Sequence, residues 1–341
     1  MCIRDSYILC RKKHVRQAFF TGLFAFVVVA PVLLYNLVVF SPSSGQAFAE
    51  AQHLLAHFRL PHHAEPRRWF DSVACAQIIG VLAAMFLVRG SRLLPILALP
   101  FMLSLVLTLV QLATDNDTLA LLFPWRTSAM LVPIATTVLL ARLVNGLALW
   151  LRQPTLGQQR AFAVVCAGLL TILVGGGAAI TYFDLGYRED TEEIALLVYI
   201  HDHKAAGDVY LLPVELPKLT SGKKGAASHN FTPPPQRNKQ GQVISVDLQR
   251  FRLFTGAPIF IDFKSIAYKD SEVLEWHQRL LWNHKLYEQR DWNRSEIPTA
   301  LSDRRITHVV ATTDHDVHND ALEMVYGDRY YRLYRVRAAQ E

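Results

Sequence analysis

Acidic residues are almost missing from the first half of this chain: residues 1–183 hold six, against 14 lysines and arginines. That half lacks the mixed charged surface of a solvated globular domain. Cysteine is scarce too. Cys2, Cys10, Cys75 and Cys166 are the only four, and none follows residue 183, which excludes a disulfide framework or a cysteine-held zinc in the second half. Also absent are G-x-G-x-x-G, G-K-[ST], G-x-S-x-G and H-E-x-x-H, so the common dinucleotide, phosphate-loop, hydrolase-elbow and zinc-protease signatures are excluded. Residues 184–341 carry 21 basic against 23 acidic side chains, so the net +6 is +8 in the first half and −2 in the second. A basic excess confined to loops beside apolar runs reads as topology, not as a nucleic-acid surface.

What the first half does have is long apolar runs. Five are expected to span a membrane: 19–40, 72–88, 93–113, 127–150 and 161–183. Crossing a hydrocarbon core takes about 20 helical residues, and helices satisfy their own backbone groups there. The first run is too long for a secretory leader and ends in no small-residue cleavage site. Met1 to Ser6 fit none of these patterns, and the chain reads as the C-terminal part of a longer protein. The expected fold is therefore an α-helical multi-pass membrane domain of about five transmembrane helices, residues 1–183, followed by a soluble α/β domain, residues 184–341.

Orientation follows from lysine and arginine in the short loops. Arg11, Lys12, Lys13 and Arg16 precede the first run, Arg89 and Arg92 separate the second from the third, and Arg152 and Arg160 the fourth from the fifth. These ends are expected on the cytoplasmic side of the inner membrane. The loops at 41–71 and 114–126 and the whole second domain then lie outside the cytoplasm. Arg142, deep in the fourth run, reads as a side chain that snorkels to the inner interface.

The two outer loops carry the candidate site. The first begins with an amphipathic stretch, Ala47 to Phe58, ends before Pro61, and is expected to present His62 and His63 on extended chain, pointing to opposite sides. Arg59, Arg67 and Arg68 add positive charge, and Trp69 and Phe70 mark the return to lipid. The second offers Trp125 and Arg126 behind Pro124, which forbids a smooth helix into the next run. Together Arg59, His62, His63, Arg67, Arg68, Trp125 and Arg126 form a basic, hydrogen-bonding, aromatic-flanked set suited to an anionic headgroup. The same residues also suit a plain interface anchor. Asp115 and Asp117 have the spacing of an Asp-x-Asp metal pair or of a chance loop.

The second half alternates helix and strand signals. Helices are expected after Asp190, with Ile194, Leu197, Val198 and His201 on one face, and over Ser271–Tyr287, with Val273, Leu274, His277, Leu281 and His284 on one face. Strands are expected over 208–212, 258–263, 306–312 and 330–336, and a protease-sensitive loop over 218–242. His201-Asp-His203 and Asp314-His-Asp-Val-His318 are the His/Asp clusters; the second follows an expected strand and reads as a metal-binding pair if locally helical or as an acidic loop with two exposed histidines.

Arg59-Leu-Pro-His-His63, Phe123-Pro-Trp-Arg126 and Phe251 to Lys264 together resemble an uncharacterised family of bacterial multi-pass membrane proteins over most of the chain. In architecture more than in residues the chain is similar to the GT-C glycosyltransferases. That resemblance implies transfer of a sugar from a polyprenyl-phosphate donor at the outer face of the membrane, with membrane lipid and the lipid-linked sugar as partners. It assigns no catalytic residue here and no resident cofactor; a divalent metal enters only with glycosyl transfer. The other reading is a non-enzymatic cell-envelope protein whose outer α/β domain binds a protein partner or an envelope polymer.

Overall fold

The structure, a computed structural model, describes residues 15–150, 155–183, 191–213, 249–263, 265–288, 292–313 and 317–337. They divide into two compact units, one up to residue 183 and one from residue 191 on. The first is all helix. Its long members are α1 (Val15–Val39), α2 (Gly45–His53), α3 (Ser72–Leu87), α4 (Leu94–Thr114), α5 (Ser128–Trp150) and α6 (Leu156–Tyr182).

Among the described residues, four stretches are long and apolar enough to cross a membrane: Val15–Val39, Leu94–Thr114, Asp117–Leu147 and Leu156–Tyr182. The 72–88 run, expected as a fifth span, forms a helix of only 16 residues. At about 1.5 Å per residue that is about 24 Å, short of a hydrocarbon core of about 30 Å. Asp71 caps its start by accepting from the Ala74 amide at 2.8 Å, and a turn through Arg89 and Gly90 ends it. In α1 and α6 the most apolar 18-residue window has no buried residue. Helices apolar all round need an apolar surrounding, which the described residues do not supply for these two.

The core of this unit lies where α3, α4 and α5 meet. Val81 and Ala84 pack with Leu97 and Phe101 and with Leu131 and Ala135. Small alanines at such a seam let helix backbones approach closely. Pro95 sits in the first turn of α4, where its missing amide costs nothing, but Pro100 interrupts the ladder. There Ser104 Oγ lies 2.8 Å from the Pro100 carbonyl.

The second unit folds around a four-stranded mixed sheet of order β1-β2-β4-β3, formed by Tyr210–Leu211, His308–Thr312, Leu322–Gly327 and Tyr331–Val336. β1 pairs parallel with β2, while β2–β4 and β3–β4 are antiparallel. Leu196, Leu197 and Ile200 of α7 (Ile194–His203) and Phe251 of α8 (Gln249–Thr255) close a core with Tyr210, Val310, Tyr331 and Leu333. α9 (Asp270–Glu288) reaches the sheet backbone with polar groups: buried Asn283 donates to the Leu212 carbonyl at 2.9 Å and Tyr287 Oη to the Val310 carbonyl at 2.6 Å. α10 (Glu296–Asp303) follows, burying Ile297 and Leu301.

Several expectations need correction. The expected strand at 258–263 makes a single bridge, Ile259 to Tyr210. Pro258 has no amide to donate, and the chain turns at Asp262, which accepts from the Ser265 amide. The buried faces of the two expected helices are displaced. In α7, Leu196, Leu197 and Ile200 are buried while Val198 is 43% exposed. In α9 the buried stripe is Val273, Trp276, Leu280, Asn283 and Tyr287, and Leu281 is 44% exposed. A buried tryptophan and a buried asparagine set that stripe. β3, α8 and α10 are additional. The 218–242 loop, Asp314–Asp316, Lys264 and Met1 to Ser6 lie outside the described residues.

The displaced stripe gives a direct test. Leu280→Ala should destabilise the second unit by about 2–5 kcal/mol, whereas Leu281→Ala should stay within about 0.5 kcal/mol. Thermal unfolding of the full chain in detergent, followed by tryptophan fluorescence, measures both. A second test uses His308, which is buried beside Tyr210 and lies 3.7 Å from Asp208. Burial, the largest influence, holds its pKa below the ordinary 6.5, with Asp208 opposing and Arg335 assisting. A lowered pKa means that the unfolded chain binds more protons, so the stability His308 contributes is present above about pH 6.5 and is lost as pH falls toward its folded pKa. His308→Gln should flatten the stability profile in that acid window, read by melts across pH 5 to 7.

Candidate functional site

The two loops expected to form a site do meet. In the first, Ser44 caps α2, and the helix widens into a π-helical turn, Leu54–Arg59, whose extra residue per turn re-aims its side chains. Two proline-led turns follow, Pro61–Ala64 and Pro66–Trp69. His62 and His63 are thus helical, not extended: Pro61 occupies a first helical position, where no amide is needed. In the second loop Asp115 ends α4 in the left-handed conformation at φ 49°, and Asn116 caps the turn Asp117–Ala120. These turns pack on Ala56, Ala64 and Ala120, each at most 4% exposed. Gln111 of α4 donates to the Ala64 carbonyl at 2.9 Å.

Below this junction lies a groove of about 570 Å³. His63, Trp69, Trp125 and Arg126 stand on its wall, and Ile78, Val81, Phe101 and Leu131 make its lining apolar. Trp125 is fixed from three sides, by Trp69 and Phe101 at ring distances of 5.6 Å and by its indole NH donated to Thr108 Oγ1 at 2.9 Å. Ser104 Oγ donates to the Pro124 carbonyl at 2.6 Å. These contacts hold Phe123 at φ 48°, a left-handed backbone that costs a bulky side chain about 1–2 kcal/mol. The turn Pro124–Thr127 then leads into α5, so the helix break at Pro124 occurs as its ring requires. Phe123 carries two site residues on its ring: Arg126 at 5.0 Å and His63, edge-on, at 5.6 Å.

Burial first, then the charges of Arg126 and Arg59, lower the His63 pKa from its ordinary 6.5. The imidazole is thereby biased toward its neutral form beside two guanidiniums. Arg59, half-buried, closes the π-helical turn. The structure brings Arg59, His63, Trp125 and Arg126 into one neighbourhood. His62, Arg67 and Arg68 lie in the same two turns, but their side chains lie outside the described residues. Asp71, whose carboxylate caps α3, also lines the groove.

A second constellation, absent from the expected set, lies in the same loops. His57 Nε2 is 2.8 Å from Asp117 Oδ1, His53 Nδ1 is 3.1 Å from Asp117 Oδ2, and His57 Nδ1 is 2.9 Å from Glu65 Oε1. Burial, the largest single influence, lowers the His57 pKa, but the hydrogen bonds and charges of Glu65 and Asp117 together outweigh it and raise it above 6.5. The sequence signal was there: His53-x-x-x-His57 inside an amphipathic stretch puts both rings on one helix face. Of the Asp-x-Asp pair only Asp117 takes part; Asp115 serves as a helix terminator. His203 stacks on Tyr199 at 4.1 Å, and the His318 backbone amide donates to Asn293 Oδ1.

A family model described as a domain of unknown function, DUF6798, matches residues 238–282. That short stretch contains Phe251 to Phe263 and lies wholly in the second half of the chain. No curated protein and no solved structure matches.

The His57 environment gives a test. Asp117→Asn removes one of the two carboxylates that raise its pKa. The imidazole should titrate at lower pH than in the wild type, followed by NMR of histidine-labelled chain in the presence of a chelator.

Proposed function

We propose that this chain is an integral membrane protein of the cell envelope whose two loops bind the phosphate of a lipid-linked sugar at the outer face of the membrane. The observation that carries the reading is the groove: apolar Ile78, Val81, Phe101 and Leu131 along its length, with Arg126 and His63 on its wall. A polyprenyl phosphate has the same division, an apolar chain ending in an anion. Tryptophans 69 and 125 would set the depth of that anion, as amphipathic aromatics do at lipid–water interfaces. Lysine and arginine placement supports a topology in which both loops and the second unit are extracytoplasmic, with 72–88 as a short fifth crossing. A helix of that length is accommodated by local thinning of the bilayer.

Glycosyl transfer from such a donor, as in the GT-C enzymes that the architecture resembles, is the activity this site would serve. The cations would neutralise the leaving phosphate, and the neutral imidazole would donate to one of its oxygens.

Binding to nanodiscs containing polyprenyl phosphate, against nanodiscs of phosphatidylcholine alone, tests the reading with the full chain. A charge-assisted hydrogen bond contributes about 1.5–3 kcal/mol, so Arg126→Ala should weaken phosphate-dependent binding roughly 10- to 150-fold. His63→Ala should weaken it less, because a neutral donor is lost. Unchanged binding in both variants would sink the proposal, and the loops would then be interface anchors.

A further inference from the structure

We infer that His53, His57 and Asp117 form a site for one divalent transition-metal ion of the zinc class, supported by Glu65. The inference goes beyond the lipid-phosphate reading and does not depend on it.

The ligand atoms, one from each of the three residues, all lie within 4.8 Å of one another. Around zinc, with metal–nitrogen bonds of about 2.0–2.1 Å, tetrahedral ligand atoms stand about 3.4 Å apart. Asp117 already meets both imidazoles at 2.8 and 3.1 Å, so an ion entering between them must spread that contact slightly and draw the two rings together. His53 has the freedom to do this: its side chain is 65% exposed, whereas those of His57 and Asp117 are 39% and 24% exposed.

The hydrogen bond of Glu65 orders the site further. In the neutral tautomer that donates from Nδ1 to the Glu65 carboxylate 2.9 Å away, His57 Nε2 presents a lone pair. In that tautomer the lone pair faces Asp117 Oδ1 at 2.8 Å, two acceptors that a cation between them would join. A proton can fill that role, and so can a metal. A histidine held by a carboxylate on one nitrogen and facing a ligand position with the other is the usual orientation of a metal-binding imidazole. Two imidazoles and one carboxylate leave a coordination position open. This is the composition of zinc sites that bind water or a substrate oxygen, not of closed structural sites.

The three backbone pieces that supply these groups are held by the buried alanines beside them. Ala56 precedes His57, Ala64 precedes Glu65, and Ala120 closes the turn that Asp117 opens. The geometry thus belongs to the packing and does not need the ion to create it.

The test is calorimetric titration of zinc chloride into the untagged full chain in detergent after removal of metal with a chelator. One saturable site per chain is expected. His53→Ala, on an exposed side chain that the fold does not need, should weaken it at least tenfold, as should Asp117→Asn, and Glu65→Gln by about 10- to 100-fold. His201→Ala, in the second unit, should change nothing. Cobalt(II) supplies a second readout: visible absorption bands of a low-symmetry, nitrogen-ligated site should appear with the wild type and vanish with His53→Ala. No saturable uptake, or uptake that survives both His53→Ala and Asp117→Asn, would overturn the inference and leave a protonated His57 bridging two carboxylates.

Discussion

Ala56, Ala64 and Ala120 are almost wholly buried where three short helical turns meet, and the first unit's polar geometry depends on that contact. Alanine is the largest residue that allows helical turns to approach this closely while still offering a methyl group to bury. A bulkier side chain at any of the three positions would push the turns apart by more than a hydrogen bond tolerates. His57, Glu65 and Asp117 would then lose one another, because each is one to three residues from its alanine. The site is built from the backbone inward, with the chemistry placed by the smallest side chains in the neighbourhood.

The groove beneath obeys a different rule. There large rings set the geometry: Trp69, Phe101 and Trp125 pack on each other, and Phe123 supports both Arg126 and His63. The strained backbone at Phe123 persists because Pro124 and Trp125 are tied to Ser104 and Thr108 of α4. Strain held in this way fixes Arg126 relative to the helices in place of leaving it on a mobile loop. Arg126 and His63 thus stand beside an apolar lining that Asp71 also borders.

In the second unit buried polar side chains tie a helix to the sheet. Its sheet is stitched to α9 by side-chain donors, Asn283 and Tyr287, that reach main-chain carbonyls of β2 and of Leu211 and Leu212. Such bonds are costly to leave unmade once buried, so they select one register of helix on sheet where apolar packing alone would accept several.

Residue order alone determined the division of the chain into an apolar helical half and a mixed half, because hydrophobic run length and strand–helix alternation are local properties. It determined that Pro124 must break a helix and that arginines and histidines gather in the same two loops, since backbone restriction and composition need no partner. It placed strands at 306–312 and 330–336 through their β-branched and aromatic content. Only tertiary structure decided that the 72–88 run stops at 16 residues, that Pro258 to Phe263 makes one bridge and turns away, and that α9 buries Leu280 and exposes Leu281. Each outcome depends on what a neighbouring element offers. The His53, His57, Glu65 and Asp117 group is the plainest case. Its members lie up to 64 positions apart in sequence, and nothing local to any of them specifies the alanine contact that brings their side chains within hydrogen-bond reach.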